Sequence, residues 1–478
     1  MSDRGNSDII THKKIGSGHP YNDLKQIAKI HQCDMSSVEF AKRLDEQDVL
    51  RDRRHEFCLP KMKDIPGVDH SLVDSGSDCL YFAANSLGLC PKKTREYIDM
   101  ELLKWAKLGA HGYTDHATGL PWATCDEDLE SDMATLVGGI PGEVAIMNGL
   151  SVNLHLLLTS FYRPTPHRHK IICESQAFPS DNYAYQSQIS LHGYDPITSL
   201  ICVEPRKGEM NLRTDDILAM IEKEGESVAV ICFGGAQFLT GQVLDMQAIT
   251  EAGHNKGCYV GFDIAHAVGN VPLYLHDWKV DFACWCTYKY INASAGCLGC
   301  IFLHRTHEQN DFPKLLGWWG QKIESRFIMD NNMNLTPGAR GYRVTNPPPL
   351  LCASLRASLQ IFNKTTMGEI RTKSKLMIAY MEYLILLRNK CSTNKPLTSV
   401  INIITPSDPE QRGNQMSITF PNQDVAAIFK ELEKRGVVCT IRKSSVIRFA
   451  IAPLFNSFGD VHRLMTCLDQ ALMAVNAK

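Results

Sequence analysis

The sequence lacks an excess of charge of either sign. It contains 50 Lys and Arg residues against 52 Asp and Glu residues, and no long block of like charges appears. Proteins that bind nucleic acid or an anionic membrane surface usually present a basic face, so this balance argues against both as main partners. We therefore expect a small-molecule ligand.

Long hydrophobic runs and targeting signals are also missing. No stretch reaches the roughly 18 apolar residues that span a bilayer. The opening MSDRGNSDIITHKKIGSGHPYND has no uninterrupted apolar region of the kind found in signal peptides, and its acidic residues disfavour a transit peptide. The 17 cysteines are scattered, many of them in apolar runs, which favours reduced core thiols. These features predict a cytoplasmic protein.

Seven short apolar runs alternate with helical patterns through the middle of the chain. Several are apolar at every position, which is typical of strands covered on both faces by crossover helices. We therefore predict an α/β fold whose large domain contains a mostly parallel seven-stranded sheet. The predicted strands are EVAIMNG, KIICE, TSLICVE, VAVICFG, CYVGFD, DFACWC and CLGCIFL.

The composition changes after TNPPPLL, residues 345 to 351. A long helical pattern begins there, and it is followed by the predicted strands VINIITP, MSITFPN and VIRFAIAP and by two further helical patterns. This order indicates a smaller α+β domain. We predict four segments: a flexible N-terminal arm (1–34), a helical segment that packs with the small domain (35–79), a large domain (80–349) and a small C-terminal domain (350–478).

Polar side chains stand where predicted strands end, which is where open α/β sheets bind ligands. Neither GxGxxG nor GxxxxGK followed by Ser or Thr is present, so the sequence contains neither of these two nucleotide-binding motifs. Asp263 ends the run CYVGFD, and His266 follows three residues later. This pair is either a helix cap with a core histidine, or a carboxylate and an imidazole beside a protonated heterocyclic ring.

Lys289 ends a run that otherwise resembles a buried strand, VDFACWC. A buried ammonium without a partner is costly. The lysine either packs its stem and extends its amine to water, or it is desolvated in a pocket and forms an imine with an aldehyde.

Two further strand-to-helix turns precede these residues. In AIMNGLSVNLHLLL, a helix starts near Leu150 and Ser151, and its free N–H groups form either a phosphate site or an ordinary serine-capped terminus. In CESQAFPSDNYA, Phe178 is either a core residue or a platform on which a flat ring stacks.

Together these four features predict pyridoxal 5′-phosphate as the cofactor. That molecule requires an anion site, a ring stack, an anionic partner for its pyridinium nitrogen and a lysine for its aldehyde, which the sequence offers in that order. Lys289 is then the residue that binds the cofactor covalently.

The motifs FAANSLGL, AFPSDNYA, GFDIAHAVGN, DFACWCTYKY, GWWG and IRFAIAPLFNSF identify the chain as similar to the kynureninase family of fold-type I pyridoxal-phosphate hydrolases. The resemblance extends over most of the chain. It implies hydrolytic Cβ–Cγ cleavage of L-kynurenine or 3-hydroxy-L-kynurenine, which yields anthranilate or 3-hydroxyanthranilate and L-alanine. This reaction belongs to tryptophan catabolism and leads to pyridine nucleotide biosynthesis.

The resemblance also assigns roles to single residues. It implies that Lys289, Tyr288 and Asp263 are catalytic, and that Arg448, Asn346 and His116 bind the substrate, with Arg448 holding its carboxylate bidentately. Trp318 and Asn346 match positions that reach in from a second subunit, so a homodimer is implied. The residues implied to contact the cofactor are Leu150, Ser151, Phe178, Pro179, Ser180, Asp181, Asp263, His266, Tyr288, Lys289, Trp318 and Asn346.

Three places depart from the family pattern. Gln321 replaces a histidine expected near the aryl ring of the substrate, and Gly234 replaces a serine. The segment GAHGYTDHATGLPW is rearranged, so either His111 or His116 takes the role of the substrate-facing histidine. The preference between the two substrates stays open.

Other functions remain as alternatives. An aminotransferase or a cysteine desulfurase would use the same cofactor, although no cysteine lies in an evident mobile loop with the lysine motif of a desulfurase. A metal-binding module is suggested by the spacing of Cys297, Cys300, His304 and His307, but these gaps are shorter than those of zinc fingers. A pseudoenzyme is disfavoured by the intact pair Asp263 and Lys289.

Overall fold

The computed structural model describes residues 19–116, 119–392 and 400–477. The α-helices of these ranges are α1 (Pro20–His31), α2 (Val38–Gln47), α3 (Lys93–Leu108), α4 (Glu127–Val137), α5 (Leu150–Phe161), α6 (Pro179–Leu191), α7 (Pro196–Ser199), α8 (Thr214–Glu224), α9 (Met246–Asn255), α10 (Ile323–Arg326), α11 (Pro349–Phe362), α12 (Met367–Ser392), α13 (Val425–Lys434) and α14 (Phe458–Asn476). The strands are β1 (Leu80–Tyr81), β2 (Val144–Met147), β3 (Lys170–Glu174), β4 (Leu200–Val203), β5 (Val228–Gly234), β6 (Tyr259–Asp263), β7 (Phe282–Cys286), β8 (Gly299–Leu303), β9 (Asn402–Ile403), β10 (Gln415–Thr419), β11 (Val437–Val438), β12 (Thr440–Arg442) and β13 (Val446–Ala450).

The central sheet has seven strands in the order β2-β8-β7-β6-β5-β3-β4. All pairings are parallel except those of β8, which runs antiparallel to both β2 and β7. Because two antiparallel steps restore the original direction, β2 runs parallel to β7. The prediction of a mostly parallel seven-stranded sheet is confirmed, and each of the seven apolar runs contains one strand.

The apolar runs form strands because both faces of the sheet are covered. Along β7, Ala283 and Trp285 pack into one hydrophobic cluster with α4, α8, α9 and α11, whereas Phe282 and Cys284 pack into a second cluster with α5 and α6. All five residues of this strand are buried. Continuous apolar composition is what a strand between two helical layers requires.

A second, four-stranded antiparallel sheet in the order β12-β13-β10-β9 follows in the C-terminal region. Its apolar side chains form a third cluster with α12, α13 and α14. Helix α14 begins with a capping box, in which Ser457 and Asp460 each accept a hydrogen bond from the other's backbone N–H. The buried side chains of α11 belong to the core of the large sheet. The four predicted segment boundaries stay a prediction.

Part of the predicted N-terminal arm is helical. The predicted flexible arm spans 1–34, but α1 is an ordered helix that buries Leu24 and Ile27 against α12 and α2 in the third cluster. Proline at its first position and the His19 side chain at its N-cap favour this start. Residues 1–18 of the predicted arm lie outside the described residues. Within the described ranges, no helix is both long and apolar enough to cross a membrane.

Candidate active site

The candidate site lies at the carboxyl edge of the central sheet. Because β2, β3, β5, β6 and β7 run in one direction, the segments that follow them meet at this edge. Asp263 ends β6 and pairs in register with Gly234, the last residue of β5. Phe178 follows β3, and Lys289 follows β7. The sheet topology thus assembles residues that are more than a hundred positions apart.

Lys289 is presented on a tight turn beside an aromatic ring. Its Nζ lies 5.8 Å from the centroid of the Phe178 ring, and that ring is 41% exposed. A hydrogen bond from the Gly88 N–H to the Tyr288 carbonyl, at 2.8 Å, holds this turn in place. A Cβ at Gly88 would lie 2.5 Å from the Lys289 carbonyl oxygen, so only glycine fits there. An exposed ring beside an amine forms an open place for a flat ligand.

Three carboxyl groups lie around the end of β6, of which Asp181 and Glu174 are buried and Asp263 is partly exposed. Asp263 accepts a hydrogen bond from the Ala265 N–H at 2.8 Å. Burial, followed by the charge of Asp263 and a hydrogen bond with it, raises the pKa of Asp181 well above its usual range. Burial also raises the pKa of Glu174 to about 7. The Gly234 N–H donates to Glu174 Oε2 at 3.0 Å, and this hydrogen bond lowers the same pKa by less.

These carboxyl groups form no salt bridge in the described part of the chain. Of the nearby cations, Lys289 lowers the pKa of Asp181, but less than burial raises it. Buried acidic groups that lack a salt bridge are stabilised in their ionised form by a cationic partner. A pyridinium nitrogen directed at Asp263 fits this requirement.

His266 is buried near the same place, and its pKa lies well below the usual value. Burial is the main cause, and the positive charges of Lys289, Arg448 and Arg442 add to it. The imidazole is therefore neutral at physiological pH. Its position is fixed through its own backbone, because Asn270 Nδ2 donates to the His266 carbonyl at 2.7 Å. A neutral ring can lie against a second flat ring without charge repulsion.

The N-terminus of α5 supplies an anion site. Its N-cap is Gly149, and no side chain caps the first turn, so the N–H groups at Leu150 and Ser151 have no intrahelical acceptor. The preceding turn is held by Asn153, whose side chain accepts from the Asn148 N–H and donates to the Asn148 carbonyl. The helix start and the half-buried Tyr288 side chain offer hydrogen-bond donors to a phosphate.

Arg448 lies on β13 and is 1% exposed. Its Nε donates to Thr440 Oγ1 at 3.1 Å and its Nη1 donates to the Phe238 carbonyl at 2.6 Å, whereas its buried Nη2 has no acceptor among the described residues. Burial, together with the charge of Arg442, lowers the pKa of Arg448 to about 9. A buried guanidinium with a free N–H fits a carboxylate ligand.

Two residues at this site escaped the sequence analysis. Glu174 ends β3, and the strand-end rule that selected Asp263 would have found it. Tyr290 is 3% exposed, its hydroxyl group has no hydrogen-bond partner among the described residues, and its charge couples to that of Arg448. No pattern in the sequence distinguishes Tyr290 from a core tyrosine.

Other predicted residues lie elsewhere in the single chain. Trp318 is 40% exposed and contacts Trp319 and Phe327 at ring distances of 5.2 and 5.8 Å. Asn346 is half-buried beside Thr345. Their assignment to the site stays a prediction.

The two candidate histidines differ in their surroundings. His111 is exposed, whereas the side chain of His116 is 5% exposed and lies 3.9 Å from Glu101. Burial and the charge of Lys104 lower the pKa of His116. Both lie on the segment between α3 and α4, away from the Lys289 turn. The choice between them stays a prediction.

The departures at Gln321 and Gly234 have local structural roles. Gln321 bridges a loop, because its Nε2 donates to the Asn332 carbonyl at 3.2 Å and its Oε1 accepts from the Asn334 N–H at 2.6 Å. A Cβ at Gly234 would lie 3.1 Å from Glu174 Oε1. Glycine at this position therefore leaves room for the Glu174 carboxyl group beside the backbone of β5.

The cysteines and histidines of CLGCIFLHRTH do not form one cluster. The Cys297 thiol contacts the Leu351 carbonyl, Cys300 is buried in β8, and His307 pairs with Asp281. A different group with metal-compatible geometry joins Glu143, His276 and His304. Glu143 there already accepts from His276 Nδ1 and from two backbone N–H groups, so its oxygens are satisfied without an ion.

Comparisons with known proteins agree on one family. A sequence model described as the kynureninase C-terminal domain matches residues 370–468. Kynureninase from Rattus norvegicus is 50% identical over 454 residues, which cover 95% of this chain and 97% of the rat protein. The Homo sapiens kynureninase is 50% identical over 96% of this chain and 98% of its own length. The Myxococcus xanthus kynureninase is 44% identical over 91% and 97%.

Similar solved structures show the fold. The cystine C–S lyase C-DES, in complex with its reaction product cysteine persulfide, has a TM-score of 0.67 at 17% identity and covers 82% of this chain and 98% of its own. A C-DES mutant with glycine covalently linked to its PLP cofactor has a TM-score of 0.68 at 16% identity, with 84% and 99% covered. These likenesses confirm the fold-type I architecture.

Proposed function

The chain belongs to the kynureninase family, and from this premise we propose that it is a pyridoxal-phosphate hydrolase of carbon–carbon bonds. Its substrates are L-kynurenine, 3-hydroxy-L-kynurenine or both, and its products are L-alanine and the corresponding anthranilate. The observation that carries the proposal is the geometry around Lys289, whose amine lies beside an exposed aromatic ring and above buried, unpaired carboxyl groups.

The residues of the site suit pyridoxal 5′-phosphate. Lys289 would attach the cofactor, Asp263 would pair with its pyridinium nitrogen, and Phe178 and His266 would contact its ring. The start of α5 at Leu150 and Ser151, together with Tyr288, would hold its phosphate. Pro179, Ser180 and Asp181, which form the first turn of α6, would contribute further contacts. When bound, the cofactor withdraws electrons from the substrate α-carbon and so permits bond cleavage at the side chain.

The protein residues then bind the substrate and move its protons. Arg448 binds the α-carboxylate through its free Nη2, with the Tyr290 hydroxyl nearby. The Lys289 amine, when free, would remove the proton from Cα. Water adds to the γ-carbonyl, and the Cβ–Cγ bond of the hydrated ketone then breaks and releases the anthranilate. Burial raises the pKa of Tyr288, which keeps its phenol protonated and able to donate a proton as that bond breaks.

We place the active site at a subunit interface of a homodimer in the cytoplasm. Trp318 belongs to a part of the chain that exposes several large apolar side chains among polar ones, and Ile328 and Met329 are 64% and 76% exposed. Large apolar side chains that are exposed together favour burial against another protein surface. A second copy would bring Trp318 and Asn346 to the cofactor and substrate, and would cover His111 or His116.

The test is the absorption spectrum of purified protein with and without L-kynurenine or 3-hydroxy-L-kynurenine, together with measured release of alanine. We expect an imine band near the visible edge in the wild type, and alanine with an anthranilate as products. Comparing the two substrates at equal concentration determines which one is preferred.

Lys289→Ala is the decisive variant, and Lys207→Ala is its control because Lys207 is an exposed lysine in the segment between β4 and α8. The first variant should lose the band and reduce activity by at least about 10³-fold, whereas the control should keep both. No band in the wild type would overturn the cofactor assignment. A band without cleavage of either substrate would keep the cofactor assignment and indicate a different reaction of fold-type I enzymes.

A cysteine desulfurase is the second candidate, because the solved structures that share this fold include such enzymes. It would release alanine from cysteine and leave the sulfur as an enzyme persulfide, from which an added thiol reductant releases sulfide. Sulfide formation from cysteine at a rate that exceeds anthranilate formation from kynurenine would favour this candidate.

A further inference from the structure

Cys173 and Cys202 form a close thiol pair on neighbouring strands of the central sheet. The two residues are register partners in the parallel pairing of β3 and β4, and their sulfur atoms lie 3.8 Å apart. Cα atoms of directly paired residues in neighbouring strands fall within the range that disulfide bonds span. Closing the bond therefore requires a small movement of two side chains and no change of strand register.

The surroundings make one of the two thiols reactive. Cys173 is fully buried between β5 and β4, whereas Cys202 is half-buried on β4, the edge strand of the sheet. The hydrogen bond from the Cys173 thiol lowers the pKa of Cys202 to about 7. The same hydrogen bond, with burial, raises the pKa of Cys173. Near neutral pH, Cys202 is then partly a thiolate that lies within reach of solvent, with a resolving thiol beside it.

We propose that Cys173 and Cys202 form an oxidation site that hydroperoxides convert to a disulfide bond. The Cys202 thiolate attacks hydrogen peroxide, breaks its O–O bond, becomes a sulfenic acid and releases hydroxide. The Cys173 thiol then attacks that sulfur, the S–S bond forms, and water leaves with the thiol proton. Two electrons pass from the two thiols to one peroxide molecule, and a dithiol reductant reverses the reaction.

The position of the pair links it to the active site. Both thiols lie on the sheet face that α6 covers, in the same hydrophobic cluster as Ala184 and Tyr185 of that helix. The first turn of α6 carries Ser180 and Asp181, and Glu174 directly follows Cys173. A disulfide would therefore join the edge strand to the strand that leads into the site. The proposal does not depend on the proposed reaction.

Other cysteines in the described residues provide the contrast. Cys232 lies on β5 on the other side of β3 and is fully buried; burial raises its pKa, and its thiol contacts Tyr185. Cys391 is exposed on α12. If exposure alone governed oxidation, Cys391 would be oxidised before Cys202, and the position of Cys202 beside Cys173 would not increase its rate of oxidation.

The test uses the full-length holoenzyme with equimolar hydrogen peroxide, followed by alkylation, proteolysis and mass spectrometry. We expect a Cys173–Cys202 disulfide peptide in the wild type that dithiothreitol removes. Cys173→Ser removes one of the two sulfur atoms, so this peptide should be absent and Cys202 should remain as a sulfenic acid that dimedone labels at least about tenfold more than in the wild type. Cys202→Ser should abolish both products, and Cys232→Ala should behave as the wild type.

Two results would overturn the proposal. One is a wild-type Cys202 that dimedone labels to the same extent as in Cys173→Ser, because the neighbouring thiol would then not resolve it. The other is oxidation of Cys391 before any disulfide appears. Far-ultraviolet circular dichroism of each variant shows that a missing disulfide does not come from loss of fold.

Discussion

Two groups of buried carboxylates lie at opposite edges of the central sheet. At the amino edge, Asp281 precedes β7 and accepts hydrogen bonds from the Val260 N–H at 2.6 Å and from the imidazoles of His254 and His307, at 2.9 and 2.6 Å. At the carboxyl edge, Asp263, Asp181 and Glu174 lie together without a basic partner in a salt bridge among the described residues.

The two groups differ in the direction of their pKa shifts. Burial opposes ionisation of Asp281, but the hydrogen bonds from His254 and His307 outweigh it, and the pKa of Asp281 is lowered. The same hydrogen bond raises the pKa of His254. At the other edge, burial dominates and the pKa values of Asp181 and Glu174 are raised. The fold itself supplies the hydrogen-bond partners of Asp281, whereas we expect a ligand to supply the cationic partner of the carboxyl-edge group.

Asp281→Ala should give the largest effect, and it should fall on stability. Removing the carboxylate leaves two imidazoles and a backbone N–H without their acceptor, which costs about 3–5 kcal/mol in the free energy of unfolding. Urea denaturation of the wild type and the variant measures the difference. Activity per folded molecule should stay close to that of the wild type, and a selective loss of activity would contradict the comparison.

The pH dependence of this loss has a defined sign. The Asp281 contribution is fully present above its unfolded pKa of about 3.9 and is lost as pH falls through its lowered folded pKa. The His254 contribution is present below about 6.5 and is lost as pH rises through its raised folded pKa. The difference between wild type and Asp281→Ala should therefore be greatest between these two values. A difference that grows towards pH 9 would contradict this assignment.

Asp263→Asn should lower turnover while leaving the protein folded. An amide keeps the shape but loses the charge that faces the pyridinium nitrogen, and removal of such a group typically reduces kcat by about 10²–10³-fold. Steady-state alanine release and the absorption maximum of the bound cofactor are the measurements. The cofactor-free variant should be at least as stable as the wild type, because one member of a repulsive pair is neutralised. A large loss of stability would show that Asp263 is paired like Asp281.

Glu174→Gln should give the smallest effect, on the pH dependence of stability in the cofactor-free protein. A raised pKa means that folded Glu174 binds its proton more tightly, so the wild type loses stability as pH rises from about 4.3 to about 7. Glutamine has no such titration, and its oxygen can still accept from the Gly234 N–H. The variant should exceed the wild type by about 3–4 kcal/mol at pH 8 and match it near pH 4. Equal stabilities at both pH values would show that Glu174 is ionised at no cost.

The sequence predicts the central sheet well because its signal is local. A strand buried on both faces is apolar at every position, as in VAVICFG, and no distant contact is needed to recognise it. The strand-end rule also selects Asp263, Lys289 and Phe178, which the fold brings to one edge. Their catalytic and binding roles stay predictions, as do the four segment boundaries.

Features that depend on distant partners are not predictable in this way. Helix α1 has a polar composition, and its few apolar side chains become significant only where they meet α12. The free Nη2 of Arg448 is apparent only when the partners of the other guanidinium atoms are known. The contributions of Trp318, Asn346 and His116 to the site stay predictions, because a single chain does not test the proposed homodimer.

The reversed strand β8 also has a consequence for the order of folding during synthesis. The edge strand β2, which leads into the proposed phosphate site, pairs only with β8, so Met147 waits for Gly299, roughly 150 residues later. At ribosomal speeds of about 5–20 residues per second, this delay is on the order of 8–30 s. Until then β2 lacks its partner strand, whereas α5 can already pack on β7 through the stacked rings of Phe161 and Phe282. The anion site therefore forms among the last parts of the large sheet, after the lysine turn has left the ribosome.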